Sequence, residues 1–143
     1  MPRMKDCLIA LVVLALMLVW ASKAWSYEVD MEAIKQIESS GNPLAFNSHS
    51  KARGLYAITP ICLKHFNMAN KTSIKPSELF NQDINTKVSV WYFGWLKGRC
   101  SSITEVLIAY NWGLGNLRRW DGDYNKLPKE TRQYLIRYKE LIV

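Results

Sequence analysis

The chain has 143 residues, with 19 Lys and Arg against 12 Asp and Glu, 49% hydrophobic side chains and 22% charged ones. That balance supplies one buried core and excludes a disordered or collagen-like chain. The net charge of +7 favours encounter with anionic polymers, but no basic run exceeds Arg118-Arg119 and the aromatic residues do not alternate with basic ones, which excludes a nucleic-acid groove.

Arg3 and Lys5 precede an apolar run from Cys7 to Trp20, and Ala21-Ser22-Lys23-Ala24-Trp25-Ser26 places small residues where a signal peptidase requires them. Residues 1–26 therefore read as a secretory signal, cut after Ser26 or after Ala24, and residues 27–143 as one exported domain. The uncharged stretch from Cys7 to Ser22 is shorter than the roughly 20 residues of a spanning helix, so a retained N-terminal anchor is the minor alternative. Either way the expected location is the periplasm or cell envelope. Without residues 1–26, 16 basic and 11 acidic side chains remain, a net charge of +5.

Cys62 and Cys100 stay in the domain, and an even cysteine number in an oxidising compartment points to one disulfide. Such a bridge would stabilise the fold by about 4 kcal/mol on the chain-entropy argument; the alternative is two buried thiols.

No repeat or linker interrupts residues 27–143, and the periodicity is helical throughout. Met31, Ile34, Ile37 and Glu38 share one helix face, stopped by Gly41-Asn42-Pro43, which puts Glu38 in the last turn. Residues 44–58 read as an ordered loop with a short extended piece near Leu55 to Ile58. Thr59-Pro60 caps a helix reaching about Ala69, and Asn70 to Phe80 connects. Asp83 to Lys97 forms a longer helix with Ile84, Val88, Trp91, Tyr92 and Trp95 on its core side. Ser102-Ile103-Thr104-Glu105 is a capping box opening a helix that Gly113 and Gly115 break. A short turn around Asn116 to Trp120 follows, and a last helix beginning near Pro128 carries Thr131, Tyr134, Leu135, Tyr138 and Ile142. The expected fold class is mostly α, a single globular domain.

Glu38 is the first candidate for chemistry. It lies at the edge of an apolar face and at the negative end of a helix, and both disfavour ionisation, as a general acid requires. Taken alone, a solvated helix-end glutamate would be the better explanation. Its surroundings add information: Glu38-Ser39-Ser40-Gly41-Asn42-Pro43 is followed by Ala52-Arg53-Gly54-Leu55-Tyr56-Ala57-Ile58-Thr59-Pro60, by Ala109-Tyr110-Asn111-Trp112-Gly113-Leu114-Gly115, and by Pro128-Lys129-Glu130-Thr131-Arg132-Gln133-Tyr134. These four blocks, in this order, resemble the catalytic domain of soluble-type lytic transglycosylases, whose fold is related to goose-type lysozyme.

The resemblance spans roughly Met31 to Tyr138 and implies a lysozyme-like helical domain that cleaves peptidoglycan with no metal or organic cofactor. It makes Glu38 the catalytic acid, which protonates the oxygen of the β-1,4 bond between N-acetylmuramic acid and N-acetylglucosamine and then accepts the proton of the muramyl C6 hydroxyl. The product is a 1,6-anhydro sugar, and no second carboxylate is needed. Tyr110 and Asn111 occupy the family's Tyr-Asn positions, implying that the Tyr110 hydroxyl holds Glu38 and the muramyl group; a core tyrosine is the alternative. Ser39 matches the serine after the acid, or it simply bonds the last helix carbonyls. Gly54 and Leu55 match the loop forming the cleft wall. Where many members carry Met-Gln, this chain has Tyr56-Ala57, so Tyr56 is expected to stack on a sugar face in place of a lost amide. Trp112 and Trp120 are further sugar-contact candidates, while Trp91 and Trp95 read as core.

Glu78 is the acid with least local explanation and the candidate if a base activates water. A thiolate peptidase using Cys62 or Cys100 with His49 or His65, and a metal site at Cys62 and His65, both rest on too few residues. The stronger rivals are a non-catalytic peptidoglycan-binding module and a lysozyme-like hydrolase on the same fold. The expected partners are glycan strands and, from the small size, subunits of a secretion, conjugation or phage-related envelope machine; the domain itself is expected to be a monomer.

Overall fold

The computed structural model describes residues 27–143; the expected signal at 1–26 lies outside the described residues. Helix α1 (Met31–Ser39) starts where the Asp30 carboxylate accepts the Ala33 N–H at 3.0 Å and ends at Ser40, which turns left-handed at φ 53°. The loop after it contains no regular strand. The extended piece expected at Leu55 to Ile58 reduces to two antiparallel bridges, Phe46 with Arg53 and Arg53 with Ile58. Between them Gly54 to Ala57 turn back on themselves, closed by the Ala57 N–H on the Gly54 carbonyl at 3.1 Å.

Helix α2 (Pro60–Asn70) takes its cap from Thr59, as expected, and a 3-10 turn at Pro76–Phe80 sits inside the connector. Helix α3 (Gln82–Lys97) is capped by Asn81, whose side-chain oxygen accepts from Asp83 and Ile84. At α4 (Ile103–Trp112) the Ser102 hydroxyl accepts the Glu105 N–H at 3.2 Å, but the Glu105 carboxylate reaches past Ser102 to the Ser101 N–H at 2.6 Å. The capping box is thus displaced by one residue. Gly113, at φ 97°, breaks the helix, and the expected turn after it is a short helix, α5 (Leu114–Arg119). Helix α6 (Lys129–Leu141) follows.

Helix α4 is the centre of the fold: Val106, Leu107, Ile108 and Ala109 are all buried, and α3, α5 and α6 pack around this segment. Burying each of its larger side chains stabilises the domain by roughly 1.5–3 kcal/mol. Helix α1 lies on α6, joined by the Asp30 N–H donating to the Tyr138 hydroxyl at 2.8 Å, and α2 lies on α3.

Two expectations change here. The buried face of α3 carries Asn85, Val88, Ser89, Phe93 and Leu96, while Trp91 and Trp95 are only half-buried, set edge-on to His65 with centroids 5.2 and 4.5 Å away. Asn85 and Ser89, which the apolar period does not include, are buried, and the large indoles pack at the rim of the core. The disulfide is also absent. Cys62 is a buried free thiol on the first turn of α2, and Cys100 is a half-buried free thiol at the α3–α4 corner, where its carbonyl accepts from the Tyr27 hydroxyl at 3.1 Å. Among the described residues no helix is long and apolar enough to cross a membrane.

Candidate active site

Glu38 ends α1 half-buried, and its surroundings decide its charge. Burial pushes its carboxyl from the usual carboxylate range up to about 7, and the nearby charge of Glu130 pushes the same way. The Tyr134 hydroxyl and the Arg137 guanidinium oppose this by favouring the anion, without cancelling it. Arg137 reaches across from α6 and donates to the Ile37 carbonyl at 3.5 Å, which holds its cation beside the last turn of α1.

The Gly54 turn is fastened beside Glu38 by side chains from three helices. Ser39 of α1 donates its hydroxyl to the Leu55 carbonyl at 2.8 Å, with the Lys35 carbonyl 3.2 Å away. Tyr110 of α4 donates to the Tyr56 carbonyl at 2.5 Å. Asn85 of α3, fully buried, donates to the carbonyls of Arg53 (2.9 Å) and Leu79 (2.8 Å) and accepts the Tyr56 N–H at 3.0 Å. An amide has two donors and an acceptor to satisfy, and here all three are used, so Asn85 can be buried without an unpaired group. Gly54, at φ 76°, packs directly on this amide.

A carboxylic acid kept protonated near neutral pH, beside a loop locked to its own helix, is an arrangement suited to donating a proton to a leaving group. Residues 18–133 match the Transglycosylase SLT domain, which covers most of the chain and the whole arrangement up to the first turns of α6. The chain belongs to the SLT domain family. No curated protein matches it. The helical, single-domain, lysozyme-like fold follows from this membership and from the architecture above, and a transglycosylase-like function in general follows with it.

Within the SLT domain the structure assigns the sequence candidates different places. Ser39 bonds a carbonyl of its own helix, as one of its two readings had it, and also reaches the Leu55 carbonyl of the loop, a contact that the sequence did not suggest. Tyr110 is a loop anchor: its hydroxyl donates to the Tyr56 carbonyl, and burial, followed by the nearby Glu38 charge, holds it well above the usual phenol range. Tyr56 is not a stacking platform, because its ring is 5% exposed and belongs to the core; its backbone, not its ring, faces the clamp. Leu55 is likewise buried, so the loop offers backbone rather than the leucine side chain. Asn111 and Trp112 end α4 half-buried, with the Trp112 carbonyl accepting the Asn116 amide at 2.6 Å. Trp120 donates its indole N–H to the Asp123 carbonyl at 2.8 Å, which holds the ring in its own turn.

Glu78 now has an explanation: its carboxylate accepts the Lys75 N–H at 2.7 Å and caps the 3-10 turn. Burial pushes the Cys62 thiol up to about 12, so it stays neutral and offers no thiolate nucleophile. A cavity of about 360 Å³ lies between α2 and the connector, lined by Leu63, Lys64, Met68 and Ile74, and none of the site residues touches it.

Sequence reasoning missed two side chains of the site. Asn85 was not singled out among the core positions of its helix. Tyr134 read only as a core position, yet its buried hydroxyl faces Glu38 closely enough to stabilise the anion while completing no full hydrogen bond to any group. Tyr134→Phe is therefore expected to raise the Glu38 pKa and move the alkaline limb of any activity profile upward, with stability unchanged or raised by about 1 kcal/mol because an unpaired buried hydroxyl is removed. A pH series of the variant checks this, and an unmoved limb would show that the hydroxyl does not act on Glu38.

Proposed function

We propose that this SLT domain is an exported peptidoglycan lytic transglycosylase in which Glu38 serves as both acid and base. The observation that carries the reading is the half-buried carboxyl held protonated up to about pH 7, next to a loop fastened to the following residue, Ser39. Glu38 donates its proton to the glycosidic oxygen as the bond from that oxygen to muramyl C1 breaks. The muramyl C6 hydroxyl then bonds to C1 and returns its proton to the Glu38 carboxylate. The net result is one glycan end with a free hydroxyl and one 1,6-anhydro end, with no water consumed and Glu38 restored. In this reading the backbone of Gly54, Leu55 and Tyr56 forms a wall of the glycan site, held by Ser39, Tyr110 and Asn85, and Asn111 and Trp112 are further substrate contacts from the end of α4.

The requirement for a protonated acid sets the pH dependence. Because the Glu38 pKa is raised to about 7, kcat/KM is expected to stay high below that value and to fall about tenfold per pH unit above it. Release of fragments from purified peptidoglycan between pH 5 and pH 9 would check this, and a profile flat to pH 9 would remove Glu38 from the acid role. Hydrolysis by a lysozyme-like route is the second reading, and it is Glu130 that supports it, since this second carboxylate lies within electrostatic reach of Glu38. The location is proposed as the periplasm or cell envelope, with residues 1–26 as the export signal and residues 27–143 as the working domain. Its size suits local wall opening for an envelope machine; a co-purification from cells that recovers no envelope-complex subunit would argue against that role.

A further inference from the structure

The loop leading into the Gly54 turn carries a feature that the acid chemistry does not use. Phe46 is 50% exposed and Leu44 is 69% exposed. Two cations lie over the Phe46 ring, the Arg53 guanidinium at 5.0 Å and the Lys51 ammonium at 5.9 Å from its centroid. Among the described residues neither cation has an acidic partner. The ion pairs among the described residues are Glu32 with Lys35 and Asp121 with Lys126, and the sequence contains no Asp or Glu from Ser39 to Ser77. The patch is also rigid. The Asn47 side chain accepts the His49 and Ser50 N–H groups at 2.9 and 3.0 Å, the Asn47 N–H donates to the Ala52 carbonyl at 3.0 Å, and Arg53 donates to the Lys51 carbonyl at 2.6 Å. The same loop joins the site covalently and by hydrogen bonds, through the Gly54 N–H on the Ala45 carbonyl at 2.9 Å and Ser39 on Leu55.

A half-exposed aromatic ring flanked by two unpaired cations matches a ligand that is acidic and partly apolar. A guanidinium takes a carboxylate in bidentate fashion, an ammonium supplies a second positive point, and a phenyl face accepts aliphatic carbon. Each muramyl residue of peptidoglycan carries, on its lactyl group, a short peptide with alanyl methyl groups and free carboxylates. We propose that Phe46, Lys51 and Arg53 form a subsite for this acidic stem peptide, so that the domain prefers peptide-bearing glycan over stripped glycan. The proposal rests on the transglycosylase reading for its choice of ligand. An acidic protein partner would satisfy the charges equally, but the patch lies on the loop that runs into the clamp beside Glu38, where a muramyl group and its peptide would be.

The test is a fluorescence-anisotropy titration of the full chain, as its Glu38→Gln variant to prevent cutting, with end-labelled glycan strands that either keep their stem peptides or have lost them to an amidase. Peptide-bearing strands are expected to bind about tenfold more tightly, with the preference shrinking as salt is raised well above physiological strength. Lys51→Gln/Arg53→Gln is expected to bring that ratio below about twofold, whereas Lys71→Gln/Lys75→Gln, which removes the same charge elsewhere, is expected to keep it. Equal binding of the two strand types, or an equal loss in both double variants, would overturn the subsite. If the chain with Glu38 intact cuts neither strand while the preference persists, the catalytic reading fails and the subsite stands; cutting of both strands with no preference gives the reverse.

Discussion

Gly54→Ala is expected to lower the melting temperature by more than about 10 °C and to abolish wall cleavage. The Cβ that alanine adds would lie 2.2 Å from the Asn85 amide nitrogen and 2.4 Å from the Leu79 carbonyl oxygen. Neither can retreat: one is main chain, and the other is a fully buried amide with every donor and acceptor in use. A left-handed alanine costs about 1 kcal/mol by itself. Displacing Asn85 leaves buried polar groups unpaired at roughly 1–3 kcal/mol each. Together these exceed about 3 kcal/mol, a large part of the stability of a small domain. Thermal unfolding followed by circular dichroism checks the size of the effect. A drop of under about 2 °C would mean that the turn relaxes and that Asn85 does not clamp it.

Glu38→Gln is expected to reduce cleavage about a thousandfold while making the protein more stable at alkaline pH. The sign follows from the raised pKa. Glu38 titrates at about 7 in the folded domain against the usual 4.5, so the unfolded chain ionises first. Its favourable contribution is complete below about pH 4.5 and is lost progressively as pH rises to about 7, by up to about 3 kcal/mol. Glutamine never ionises, so the variant is expected to match the parent near pH 4 and to exceed it at pH 8. Melting curves at the two pH values measure the difference. A variant less stable than its parent at pH 8 would show that Glu38 is ionised and well solvated in the folded state.

The helical plan was legible because its signals are local. Asp30, Thr59, Asn81 and Ser102 all cap the helices that follow them, and Gly113 stops α4 as its positive φ requires. The place of Glu38 in the last turn of α1 was legible from the apolar period and from Gly41-Asn42-Pro43 after it. What escaped depends on contacts between residues far apart in sequence. Asn85 and Ser89 fall outside the apolar period of α3, and only the proximity of the Gly54 turn gives Asn85 the three partners that permit its burial. Tyr56 looked available to a sugar because Tyr56-Ala57 stands where many members carry Met-Gln, but its side chain is buried in the core, which only the packing of the turn on the helices reveals. Spacing alone could not place Cys62 and Cys100, which remain thiols. Tyr134 lay on the predicted core face, and nothing in its period of three and four revealed a carboxyl opposite its hydroxyl.

The central claim is that Glu38 cuts glycan by routing the muramyl C6 hydroxyl, rather than water, to the anomeric carbon. The most direct measurement is mass spectrometry of the muropeptides released from purified peptidoglycan by the full chain and by Glu38→Gln. Anhydro-muropeptides from the parent alone, 18 Da lighter than their hydrated counterparts by the mass of one water, are the expected result. Hydrated reducing ends from the parent, or anhydro ends released equally by the Glu38→Gln variant, would contradict the mechanism.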